Sequence, residues 1–263
     1  MLEEIVLPDS VTTVEDWAFY SAGVKSMTLG KGTTNYTANA LIGCTWLEEI
    51  NVRAGNPVFH SAGNCLIRTA TKTLVQGTHK SVIPTDGSVT TIGQYSFRNV
   101  PGIKKLTIPA AIQHIGGTAF DDIKELHIAD LKAWCSVSID YYTDANPMEY
   151  AQEIYIEGEK ATGKVVIPQG VTKIGYGTFY GCSMTIVEIP ESVTEIEEKA
   201  FNYCRNLVVV SLPKSVKTIE KSAFDNCERL SDVEYAGSAS DRSQISIGTD
   251  NDDLTNATWT YEQ

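Results

Sequence analysis

VEIPESVTEIEEKAFNYCRNL (residues 187–207) is followed, 23 residues on, by VSLPKSVKTIEKSAFDNCERL (residues 210–230). LTIPAAIQHIGGTAF (106–120), VVIPQGVTKIGYGTF (165–179) and IVLPDSVTTVEDWAF (5–19) repeat the same phrase. Self-similarity at a period of 20–50 residues marks a unit of structure stacked along an axis. Six of the 9 prolines (Pro8, Pro84, Pro109, Pro168, Pro190, Pro213) share one phase. Six of the 7 phenylalanines (Phe19, Phe97, Phe120, Phe179, Phe201, Phe224) share another, and Phe59 alone does not. Five residues before each Phe stands Val14, Ile92, Ile115, Ile174, Ile196 or Ile219, and three residues earlier Val11, Val89, Ile112, Val171, Val193 or Val216.

Each phase has a cause. The apolar-x-apolar-Pro unit (Val210, Leu212, Pro213) alternates with period two, which predicts a short strand with one buried face. Proline has no N–H to donate, so it ends the strand. The V-x-x-I step turns inward on a second side of the coil. The Ala-Phe pair, after a polar run, predicts a short helix or 3₁₀ turn. Small residues (Ala18, Ser96, Ala119, Thr178, Ala200, Ala223) before the Phe leave room for neighbouring coils. One coil cannot cover its own apolar face; only its neighbours can.

With these phases the sequence resembles the bacterial leucine-rich repeats of the Treponema pallidum, or BspA-like, type, along nearly the whole chain. The resemblance implies a right-handed leucine-rich repeat solenoid of α/β class, β-rich, with short helices or 3₁₀ turns. It also implies a secreted or cell-surface protein that binds partner molecules, and it carries no catalytic residues with it.

Composition sets bounds. The chain has 263 residues, 42% of them apolar, and a net charge of −12. That acidity argues against nucleic acid and anionic membrane, which call for basic patches. No stretch approaches the ~18 apolar residues of a membrane span. Met1 leads straight into LEEIVLPDSV with no leader and no polar cap, so the expectation is a piece of a longer protein or an added start codon. Cys44, Cys182, Cys204 and Cys227 share one phase, which predicts a ladder of buried free thiols, with a disulfide as the lesser alternative. Cys65 and Cys135 lie in insertions and are unassigned.

Along the chain the reading is a single repeat domain over 1–263, with about seven or eight coils. A second, degenerate coil has Gly30 in place of Pro, Tyr36 in place of Val and Ala40-Leu41 in place of Ala-Phe. Insertions interrupt the period at about 56–82 and 129–163. The first predicts strands at Cys65–Arg68 and Thr73–Gln76 joined by a TATK turn. The second predicts a helix at ADLKAWCS and a strand EIYIEG pairing with KVVIP as a hairpin. From about 231 to 263 the period fades into a C-terminal cap with strands at Val233, Tyr235 and Thr258–Tyr261.

No catalytic or cofactor motif is present: the four histidines occupy unrelated phases, and Asp250, Asp252 and Asp253 lack the Gly and distal Glu of an EF-hand loop. The reading is a protein that is not an enzyme and needs no cofactor or metal. Two sets of residues are candidates for binding. The first faces outward from the repeat strands, the face expected to be concave: Glu49 and Asn51, Lys105 and Thr107, Glu125 and His127, and Glu188, with a plain solvated sheet as the alternative. His127 is expected to be exposed. The second is the aromatic cluster of the second insertion, with Trp134, Tyr141 and Tyr142, whose alternative is packing against the insertion's own coils. The function expected is a binding or adhesion module, a monomer that presents a rigid surface to a protein or glycan; the alternative is a structural spacer in a larger protein.

Overall fold

A computed structural model of the chain describes residues 3–98, 100–140 and 145–262. They pack as two compact units, Met1–His127 with Ile139–Glu153, and Ile128–Ser138 with Ile154–Gln263. Each unit is a stack of short β-strand coils, and about 11 turns can be followed along the described residues. The count exceeds the seven or eight coils of the sequence pattern because strands of the second insertion and of the tail take up repeat positions of their own.

The second unit is the more regular. Lys164–Val166, Ile186–Glu188, Val209–Leu212, Asp232–Tyr235 and Thr258–Tyr261 form one parallel sheet. Its register sets Val165 beside Val187, Val187 beside Val210 and Val210 beside Val233, so one buried column of valines runs through it. The V-x-x-I steps form a second parallel sheet from Lys173–Ile174, Glu195–Ile196, Thr218–Ile219 and Ser246–Ile247. The tail therefore keeps the fold's register after its sequence has lost the period.

The Ala-Phe segments are turns, not helices. Their amides alternate between two partners. Ala200, Asn202 and Cys204 N–H donate three residues back, to Glu197, Lys199 and Phe201 O. Lys199, Phe201 and Tyr203 N–H donate instead to Lys221, Ala223 and Asp225 O in the next coil. The coil before behaves alike: Gly177, Phe179 and Gly181 N–H reach Glu198, Ala200 and Asn202 O. This zigzag needs positive φ on both sides of the Phe, at Gly177 and Gly181 (59° and 65°), Lys199 and Tyr203 (59° and 60°), and Ser222 and Asn226 (54° and 58°). An α-helix satisfies only its own backbone; this turn satisfies its neighbour's too.

The zigzag aims each Phe inward. Phe179, Phe201 and Phe224 are fully buried and stack at centroid separations of 5.2 and 4.9 Å, close to the ~4.8 Å strand spacing. The cysteine phase answers the same turn: Cys204 Sγ donates to Phe179 O at 3.0 Å and Cys227 Sγ to Phe201 O at 3.2 Å. Past the last Phe a side chain replaces a coil. Phe224 N–H donates to Asn251 Oδ1 at 2.9 Å, and Asn251, 2% exposed, donates from Nδ2 to Glu220 O and Gly248 O.

The second insertion starts with the helix Leu131–Trp134, N-capped by Asp130, whose carboxylate accepts from Ala133 N–H. The strand Ala151–Ile156 forms its hairpin with Glu159–Lys160, not with KVVIP. Glu157 and Gly158 both take positive φ, 52° and 92°, the pair that a two-residue turn matched to strand twist requires. That tight turn leaves KVV free to join the parallel sheet.

In the first unit Glu4–Val6, Ser26–Leu29 and Glu49–Val52 form a parallel front sheet. Gly30 stands at the proline phase because a Cβ there would lie 2.6 Å from Pro8 O. The first insertion is a three-stranded meander: Phe59–Ala62, Cys65–Arg68 and Thr73–Gln76, the last two joined by the expected turn. Its last strand pairs in parallel with Thr91–Ile92, which pairs with His114–Ile115. The insertion thus supplies the inward strand that the interrupted coil lacks. Asn56 fixes its root, accepting from Val58 and Phe59 N–H and donating to Gly30 and Thr33 O. Phe97 and Phe120 stack at 5.6 Å, and Phe59, outside the repeat phase, is buried edge-on to Tyr36.

Phe201→Ala should lower the unfolding free energy by ~3–5 kcal/mol, the cost of a cavity at a fully buried ring, read from the urea midpoint. Exposed Gln169→Ala should change it by less than ~0.5 kcal/mol; equal midpoints for the two variants would contradict the packing described.

Candidate functional site

The front sheet of the first unit is broken. Glu49–Val52 ends one sheet and Ile103–Ile108 begins the next. Residues 81–84 hold the repeat position between them, with Ile83 buried as a strand residue would be, yet they are not in a strand. The first insertion is the cause. Val82 N–H donates to Gly63 O at 2.8 Å, Ser81 Oγ donates to Asn64 O, and Asn64 Nδ2 donates to Lys80 O. These bonds tie the segment to the hairpin, so it makes no backbone bond to Ile103–Ile108.

The break leaves a groove of about 580 Å³ between residues 79–83 and 102–107. Val82 is 70% exposed on it. Around Val82 stand His79, Lys80, Lys104 and Lys105, with Thr107 beyond. Lys80 and His79 meet Glu48 at 2.5 and 3.8 Å, and the Lys80 ammonium holds the Glu48 carboxyl below the usual carboxylate range. Neither Lys104 nor Lys105 has a carboxylate partner among the described residues. Glu125, at the phase of Lys105 one strand on, engages His127 Nε2 instead, at 3.2 Å.

The structure thus brings together two of the residues expected from the sequence, Lys105 and Thr107. Glu49 and Asn51 are exposed on their own strand. His127 is a correction: its side chain is 15% exposed, because Glu125, two residues away on the same strand face, engages its ring. Glu188 lies in the second unit, ion-paired with Lys164. Trp134 is also a correction: it is 2% exposed, and its indole N–H donates to Thr178 O at 2.8 Å. It packs the insertion's helix against the repeat coils of its own unit and has no face left for a partner. Tyr141 and Tyr142 lie outside the described residues. The sequence reading missed His79, Lys80, Val82 and Lys104. Their signal was the two basic pairs, HK and KK, in an acidic chain.

The repeat pattern accounts for most of the sequence. The model of the BspA type leucine rich repeat region, with 6 copies, matches residues 1–74, 75–144 and 156–247. The chain belongs to the BspA-type leucine-rich repeat family. Two solved structures with TM-scores above 0.5 agree on the fold. A leucine-rich repeat protein from Eubacterium ventriosum ATCC 27560 is 21% identical with a TM-score of 0.58, over 95% of this chain and 64% of that one. One from Bacteroides ovatus ATCC 8483 is 21% identical with a TM-score of 0.53, over 100% and 72%. A leucine rich cell surface protein from Faecalibacterium prausnitzii A2-165 is 22% identical with a TM-score of 0.47, over 93% and 62%. This BspA-type chain spans less than two thirds of the Faecalibacterium and Eubacterium proteins. No curated protein matches it.

The six cysteines are free and buried. Burial pushes the Cys182 and Cys65 thiols up to about 11 and those of Cys135 and Cys227 to about 12. Burial likewise raises the Cys204 thiol well above its ordinary value. The thiolate is the reactive form, so the native repeat array should leave all six unmodified by iodoacetamide at pH 8, counted by intact mass. Six adducts should appear in 6 M guanidinium; rapid native labelling of Cys204 would contradict its place in the turn.

Proposed function

We propose that the chain is a non-enzymatic binding module, secreted or displayed at a cell surface, which presents the front face of its first unit to a protein partner. Family membership supports a binding or structural repeat role. The groove supports the choice of binding. Exposed Val82 and two lysines without carboxylate partners line it beside a strand edge that no neighbouring strand covers, and an uncovered edge is a template for another chain. Those lysines stand out against a net charge of −12, so they select among partners by charge as well as by shape. A surface location is part of the same reading, and it rests on the family resemblance.

The test is an array of extracellular proteins and glycans probed with the whole chain and with a Lys104→Glu/Lys105→Glu variant. The variant should keep its circular dichroism and melting temperature, since both side chains are exposed. The expected result is a protein ligand for the parent chain whose affinity falls at least ~10-fold in the variant, equivalent to 1.4 kcal/mol. No ligand at all, or equal binding by both chains, would overturn the reading.

A further inference from the structure

We infer that the groove takes an extended acidic peptide segment as an added β-strand; the inference rests on the binding role proposed above and names its ligand. Three observations carry it. The first is an unpaired strand edge. Ile103–Ile108 ends its sheet, and its edge toward the groove makes no backbone hydrogen bond to residues 81–84. The regular coils show which groups are idle. At the phase of Lys105, Val209 N–H donates to Thr185 O in the coil before; at the phase of Thr107, Ser211 O accepts from Ile189 N–H in the coil before. By that register the N–H of Lys105 and the C=O of Thr107 point into the groove. An open edge of this kind is a template for another chain, whose main-chain groups supply affinity and whose alternate side chains supply specificity.

The second observation is the charge on that edge. Lys104 and Lys105 lie on it without carboxylate partners, and His79 lies across the groove. A strand entering there meets the two lysines of a chain whose net charge is −12. The third is the apolar surface of Val82, which would cover a β-branched or aromatic side chain between the acidic ones. A sulfated glycan would satisfy the lysines but would leave the strand edge and Val82 unused, so the peptide fits more of what is present. The groove's volume of about 580 Å³ lies within the ~300–1,000 Å³ of sites that enclose small ligands, enough for the few central residues of such a segment.

The experiment selects binders to the immobilised whole chain from a displayed library of random 12-residue peptides. Synthetic copies of the enriched sequence are then N-methylated at odd or at even backbone amides. The expected result is enrichment of acidic sequences with alternating β-branched residues. One methylation register should lose affinity at least ~10-fold while the other does not, because an added strand uses alternate amides. Binding should also weaken as salt rises and fall in Lys104→Glu/Lys105→Glu. Peptides indifferent to both registers would overturn strand addition. So would heparin that binds the parent chain but not the variant while no peptide is enriched. The first result leaves the binding role standing; the second leaves it with a glycan in place of a protein partner. An array with no ligand of any kind removes that role and this inference together.

Discussion

Every second amide in the phenylalanine turns belongs to the neighbouring coil. The rest of the structure follows from that division of backbone hydrogen bonds. A turn that bonded only to itself would stack on its neighbours by side chains alone. Here Phe201 N–H finds Ala223 O, and Phe179 N–H finds Ala200 O, so the buried ring and the amide next to it are fixed by the same contact. The geometry requires left-handed backbone beside each Phe, which costs ~1–2 kcal/mol for a residue other than glycine. Gly177 and Gly181 meet it without that cost; Lys199 and Tyr203 bear it. They are held there because adjacent coils over-determine the turn, as strained conformations require. The thiol of the next coil then donates to the Phe carbonyl, which makes the cysteine phase part of the same network.

The array pays for uniformity at its interruptions and its end. Asn251 supplies from one amide group what a further coil would supply from its backbone. Asn56 does similar work at the root of the first insertion. The insertion fills the missing inward strand, and in doing so its Gly63-Asn64 turn draws residues 81–83 out of the front sheet. The groove is the consequence: one strand edge is left without a partner because the segment that would cover it is bonded elsewhere.

The columns were legible in the sequence because they repeat. One residue at one phase, seen several times, fixes which way it points, and Phe201 or Val210 needed no other information. The turn geometry was hidden because lysine and tyrosine stand at phases where a sister coil has glycine. The tail was harder still. Trp259 and Tyr261 both pack against Tyr235 in strands that keep register after the aliphatic pattern has gone. Trp134 was misread because clustering of aromatics says nothing of burial, and its partner, Thr178 O, is distant in sequence. Of the groove only Lys105 and Thr107 could be read, as outward residues of one strand; their companions could not. The groove depends on where a hairpin turn lands, and two basic pairs were the only trace of the rest.

Native-state hydrogen exchange tests the division of amides most directly. Phe179, Phe201 and Tyr203 N–H, which bond across coils, should exchange only through unfolding that separates the coils, and so as slowly as the amides of the central strand Val209–Leu212. Exchange at those three positions as fast as at Ser183, in an exposed loop, would mean that the coils are not joined through their turns.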